Sequence, residues 1–208
     1  MMAELIGALI ASIYGCFTAL RPKTPLFYRI IFFAMLACLM GNVYTLLHGL
    51  LWSREIGGFH VGYLGYTGMF FFLHSAYYGA INSLGDGGEA ELRKYRLFAG
   101  AACIVFLLAA VWLTFLFSKE FWLFIVLVPV CLTLYFAVKL LLLPDVEMGV
   151  IQVLRPYNAL VIALSAGMML RLLSPAGSVQ ETVSGMCSGL LLAVIMPVVR
   201  NGVRKWST

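Results

Sequence analysis

The chain has 208 residues, of which 62% are hydrophobic and only 11% charged. A soluble domain cannot carry that ratio, because it must present a polar surface to water; the excess has to face lipid, and the length divides into spans of roughly 20 apolar residues. The net charge of +5 does not point to nucleic acid, since the basic residues fall between apolar runs and near the C-terminus rather than on a soluble face.

Seven apolar runs follow one another, at about 3–20, 26–52, 58–84, 95–117, 121–143, 151–173 and 179–200. In hydrocarbon every backbone polar group must be satisfied internally, so runs of this length are helices. The expected fold is all-α: a polytopic integral membrane protein, a seven-transmembrane-helix bundle forming one domain over residues 1–208. The first run is preceded by Met1, Met2, Ala3 and Glu4, with no basic segment, and reads as a retained helix inserted N-terminus outward. The second and third runs exceed the minimum and are expected to tilt or reach into the interface. Short connections predict that helix order in the chain is largely neighbour order in space.

Orientation follows from the cations. Arg21, Lys23, Arg29, Arg93, Lys94, Arg96, Lys139, Arg155, Arg200, Arg204 and Lys205 fall on one side, against Arg54, Lys119 and Arg171 on the other. The positive-inside rule makes the first side cytoplasmic. This puts the N-terminus outside and the C-terminus in the cytoplasm, with the bacterial cytoplasmic membrane as the expected location. Trp52, Trp112, Trp122 and Trp206 lie near the expected interfaces, as aromatic anchors do. The five cysteines (Cys16, Cys38, Cys103, Cys131 and Cys187) all sit inside apolar runs and read as small hydrophobes rather than as disulfide or zinc ligands.

The second run carries a polar arc of Asn42, Tyr44, Thr45 and His48. In the third, Gly58, Gly62, Gly65, Ala76 and Gly79 fall on one face at about 100° per residue, with Tyr63, Thr67, His74 and Tyr78 opposite. Small residues at this spacing let a neighbouring backbone approach closely, and neither face suits lipid, so this helix belongs in the middle of the bundle. Matching the midpoints of the two antiparallel helices brings His48 near Tyr63 and Asn42 near Thr67. Two readings account for such a cluster: hydrogen bonds that only cross-link the helices, or a ligand pocket in the outer half of the membrane. His74 lies about twelve residues from His48 in depth, roughly 18 Å at 1.5 Å per residue, too far to share a haem. His60 is closer in depth but lacks a third ligand, so no metal and no cofactor are expected.

On the seventh run Glu181, Ser184 and Ser188 share an arc beside the small residues Gly185, Gly189 and Ala193. Arg171, ending the sixth run on the same side, is expected to pair with Glu181. The segment Gly85, Asp86, Gly87, Gly88, Glu89 reads as a flexible turn, since no strand precedes it to make a phosphate cradle; Asp145 and Glu147 read as a solvated loop. Leu20-Arg21-Pro22 recurs as Leu154-Arg155-Pro156 without further register between the halves.

No acidic residue lies in the middle of a run and no HExxH or paired-carboxylate site is present, so no catalytic residue is assigned. The seventh run also has no lysine in its core for a retinal Schiff base. These absences count against an enzyme, an opsin and a proton pump. The favoured function is a receptor-like membrane sensor binding a small neutral or lipid-like ligand between helices 2, 3 and 7. The candidate site is Asn42, Tyr44, Thr45, His48, Tyr63, Thr67, His74, Glu181 and Ser184. Membrane lipids are the expected surroundings, and a homodimer or a cytoplasmic effector the expected partner. The alternatives are a small facilitative transporter with a three-plus-one-plus-three arrangement, then an intramembrane lipid-active enzyme using His74, Ser75 and Tyr78.

Overall fold

A computed structural model describes residues 2–52, 61–81, 89–117, 122–144 and 150–206. Among them lie seven α-helices: α1 (Met2–Ala19), α2 (Leu26–Trp52), α3 (Gly62–Ala76), α4 (Arg93–Leu116), α5 (Leu123–Leu142), α6 (Val150–Leu173) and α7 (Val179–Trp206). A π turn, Tyr77–Ile81, continues α3, and a 3₁₀ turn, Ala90–Leu92, leads into α4. No strand occurs among the described residues. Among the described residues, every helix except α3 is long and apolar enough to cross a membrane, six in all, which fits a multi-pass membrane protein. Large apolar side chains such as Phe17, Leu50, Leu64 and Leu190 stand at least half exposed, as a lipid-facing surface requires.

Local chemistry sets the breaks. Pro22 and Pro25 bracket the turn after α1, where Lys23 adopts a left-handed φ of 65°. Gly177, at φ 75°, turns the chain between α6 and α7 without the penalty a Cβ would carry. The Ser178 side chain then accepts from the Glu181 N–H at 3.1 Å, while the Glu181 carboxylate accepts from the Gly177 N–H at 2.7 Å, capping α7.

Six helices form a ring in the order α1, α2, α3, α5, α6, α7, closed by the packing of α1 on α7; α4 lies outside it, against α5 and one edge of α6. Neighbour order therefore follows chain order except where α3 packs on α5. The centre is filled by Ile31, Met35, Phe70, Leu73, Leu140, Leu164 and their neighbours. Two seams are drawn tight by small residues. A Cβ on Gly65 would stand 2.5 Å from the Gly41 Cα, and Gly7 of α1 lies directly against the Gly189 backbone of α7. Thr18 bonded to Tyr28, and Gly41 set against Gly65, make each of the first helix pairs antiparallel.

The close face of α3 thus runs through Gly62 and Gly65, as its spacing predicts; Gly58 lies outside the described residues. Gly79 departs from the expectation: it is exposed, with open space where its Cβ would be. The π turn at Tyr77 is the reason, since its wider winding takes Gly79 out of phase with Gly62.

Candidate functional site

Four helices converge on a buried polar network. Glu4, in the first turn of α1, is fully buried, and its Oε2 forms an ion pair with Nη1 of Arg171, which is 12% exposed in the last turn of α6. The same nitrogen donates to the Tyr66 hydroxyl of α3 at 3.0 Å. Tyr66 Oη lies 3.1 Å from Asn42 Oδ1 of α2 and 3.3 Å from Glu4 Oε2. Asn42, also fully buried, donates from Nδ2 to the Cys38 carbonyl at 2.9 Å, which turns its Oδ1 toward Tyr66.

A donor count shows what this arrangement lacks. A phenol has one proton to give, and an ionised carboxylate only accepts. The Tyr66 proton is better placed on Asn42: that distance is the shorter, and Glu4 Oε2 already holds the guanidinium. Asn42 and Tyr66 are then satisfied. Among the described residues, Glu4 Oε1 is buried with no hydrogen-bond partner, a costly position for a carboxylate oxygen. One acceptor is left open inside an otherwise closed network.

Neither Glu4 nor Tyr66 belongs to the candidate set read from the sequence. Their signals were present but weak. Glu4 is the only carboxylate in the first apolar run, and Tyr66 lies on the Gly62, Tyr66, Met69, Leu73 stripe, four and then three residues apart. The depth match between α2 and α3 holds to within a residue for Asn42, which meets Tyr66 rather than Thr67, but not for His48, since Gly41 set against Gly65 puts Tyr63 near the level of residues 43–45. The ion pair of Arg171 is with Glu4; Glu181 caps its own helix and adds only a through-space attraction. Glu4 is buried in the first turn of its helix and not in the middle of a run, where the sequence has no acidic residue.

Of the nominated residues, Asn42 joins the network. The hydroxyls of Thr45, Thr67 and Ser184 each donate to a carbonyl four residues back, Gly41, Tyr63 and Gln180, at 2.9, 3.0 and 2.6 Å. Such back-bonding satisfies a hydroxyl within its own helix, so neither a ligand nor a cross-link is needed to explain it. The Tyr44 ring lies beside that of His48, with centroids 6.0 Å apart, and Tyr63 stacks on Trp122 at 4.0 Å. His74 lies against Phe136 and Tyr78, and its Nδ1 is buried without a partner.

A second polar layer crosses the other half of the bundle. The Tyr77 hydroxyl at the π turn donates to Asn158 Oδ1 of α6 at 2.9 Å, and the Tyr157 ring lies tilted against Tyr77 and edge-on to Phe27. The Thr133 hydroxyl of α5 lies 2.8 Å from the Pro129 carbonyl of its own helix and 2.9 Å from the Phe70 carbonyl of α3, and its one proton is shared between them. Clefts of about 400, 380, 370 and 230 Å³ lie outside both layers. The 370 Å³ cleft is apolar, opens between α1 and α7, and begins at Ala3, the residue before Glu4. Among the described residues, no cluster of three His, Cys, Asp or Glu side chains is placed to hold a metal.

Trp52 and Trp206 are described in their backbone only, and His60, Asp145 and Glu147 lie outside the described residues. Comparison with protein-family models, with characterised proteins and with solved structures gives no match to this chain.

Proposed function

We propose that the chain is a receptor-like membrane sensor, with its N-terminus outside and its C-terminus in the cytoplasm of a bacterial cell membrane. Its responsive element is the Glu4–Arg171–Tyr66–Asn42 network, and its ligand is a small neutral or lipid-like molecule bearing an N–H or O–H donor. The observation that carries this reading is the open acceptor at Glu4 Oε1. A cationic ligand would compete with Arg171, and an anionic one would face Glu4; a neutral donor completes the network at least cost. The apolar cleft between α1 and α7 suits the hydrocarbon part of an amphiphile.

The network is also suited to signalling. It ties α1, α2, α3 and α6 together at one end of the bundle, so a change in its bonding biases how four helices pack. A cytoplasmic partner or a second copy of the chain would read that change.

The test is thermal unfolding of the purified chain in nanodiscs with polyols, primary amides, fatty alcohols and monoacylglycerols, beside fatty acids as the anionic control. A neutral donor class is expected to stabilise the wild type, by about 2.7 kcal/mol at a hundred times its Kd. It should leave Glu4→Gln/Arg171→Gln unmoved. The reading is lost when no neutral class stabilises the wild type, or when the double variant responds equally.

A facilitative transporter is the second reading, and the position of α4 favours it. With α4 outside the ring, α1–α3 and α5–α7 form two groups of three that meet at α1·α7 and α3·α5. Radiolabel uptake of a stabilising compound into proteoliposomes distinguishes the two.

A further inference from the structure

At the opposite end of the bundle, the turn between α1 and α2 and the last turns of α7 enclose a cleft of about 230 Å³. Four cations line it, Arg21, Lys23, Arg200 and Arg204, and no acidic residue does among the described residues. From this cleft we infer a binding site for a phosphate group, of the kind carried by an anionic phospholipid headgroup or by a soluble phosphate.

The walls are fixed by their own bonds. Thr24 donates to the Arg21 carbonyl at 2.8 Å, and Arg29 reaches that same carbonyl at 3.2 Å, holding the turn against α2. The Thr18 and Tyr28 hydroxyls bond at 2.7 Å beneath it. Arg200 is held by the Tyr14 hydroxyl at 3.1 Å and lies over the Tyr14 ring. Arg21 donates to the Phe17 carbonyl through Nε alone, which leaves its exposed terminal nitrogens to a ligand.

Three further features favour an anion. The first-turn N–H groups of α2 begin at Leu26, just beyond Pro25 of the cleft, and add the positive end of a 27-residue helix. Lys23 holds a left-handed φ of 65°, a conformation unfavourable for a side chain with a Cβ, so its cation is kept where glycine would be easier. The like charges of Arg21, Lys23 and Arg200 around one small volume repel one another and are relieved by an anion. Phe17, Leu20 and Leu26, next in sequence to Thr18, Arg21 and Pro25 of the cleft, are 71%, 60% and 68% exposed, an apolar surface that suits a lipid's acyl chains and makes the headgroup the favoured source.

The test titrates the full chain in neutral detergent micelles with short-chain phosphatidylglycerol, short-chain phosphatidylcholine and inorganic phosphate, following binding by native mass spectrometry and thermal shift. Phosphatidylglycerol is expected to bind in preference to phosphatidylcholine. Arg21→Gln/Lys23→Gln/Arg204→Gln should weaken it by roughly 100-fold, about fivefold per cation near the membrane surface. Arg93→Gln/Lys94→Gln/Arg96→Gln removes equal charge elsewhere and should bind as the wild type does. Lys23→Gly removes the cation and relieves the backbone, so it should lose roughly fivefold in binding while keeping the wild-type melting temperature or exceeding it. Saturation by inorganic phosphate with the same dependence on Arg21, Lys23 and Arg204 would keep the site and assign it to a soluble ligand. Equal weakening by the two triple variants, or no preference for phosphatidylglycerol and no binding of phosphate, would overturn it.

Discussion

Removing one member of the Glu4–Arg171 pair strands a charge where water cannot follow. Arg171→Gln leaves a carboxylate with no exposed surface, whose remaining neighbour is the Tyr66 hydroxyl. Glu4→Gln leaves a guanidinium that is 12% exposed and keeps its bond to Tyr66. Breaking a buried pair from one side typically costs about 3–5 kcal/mol, a large share of the roughly 5–15 kcal/mol that holds a domain folded. Exposure sets the order within that range, so Arg171→Gln should lie near the top and Glu4→Gln near the bottom. The double variant replaces the ions by two amides able to bond each other and should recover at least about 2 kcal/mol of the summed losses. Equilibrium unfolding in mixed micelles of rising SDS fraction, followed by tryptophan fluorescence, measures all four proteins. Single variants within about 1 kcal/mol of wild type, or losses that simply add, would show that the pair is solvated and that the network does not exist as described.

Gly65→Ala places a Cβ 2.5 Å from the Gly41 Cα and 2.7 Å from the Ala37 carbonyl, so it should cost about 1–3 kcal/mol by the same unfolding assay. Gly100→Ala on α4, where the space is open, should stabilise by about 0.5–1 kcal/mol through helix propensity alone. Tyr66→Phe strands Asn42 Oδ1 and should cost about 1–3 kcal/mol, whereas Thr67→Val, which removes only a back-bond to Tyr63, should stay within about 0.5 kcal/mol. In intact cells, a cysteine at Ala176 between α6 and α7 should react with an impermeant maleimide, and one at Lys23 should not; the reverse pattern inverts the proposed orientation.

The helices were legible because lipid imposes one rule on every backbone group, and proline, glycine and charge mark where each run stops. Depth was legible too, since 1.5 Å per residue fixes how far Asn42 lies along α2. The partners were not. A threonine in an apolar run signals polarity, but nothing in the residue type tells whether its hydroxyl reaches a neighbouring helix as well as its own, as Thr133 does between Phe70 and Pro129, or turns back on its own helix, as Thr67 does. Glu4 was hidden by its place near the start of a run, where a carboxylate is expected to reach water. The packing of α1 against α2 and α7, made close at α7 by Gly7 and Gly189, buries it, with Arg171 reaching in from α6. Arg171 was assigned to Glu181 by closeness along the chain, and the cap built from Ser178 and Gly177 takes that carboxylate instead.

The claim that a neutral donor completes the network at Glu4 is tested most directly by infrared difference spectroscopy. The protein in nanodiscs would be measured before and after adding a compound that stabilises it. The account predicts a shift of a carboxylate stretching band on binding that is absent in Glu4→Gln. Binding with no carboxylate change, or with the same change in Glu4→Gln, would contradict it.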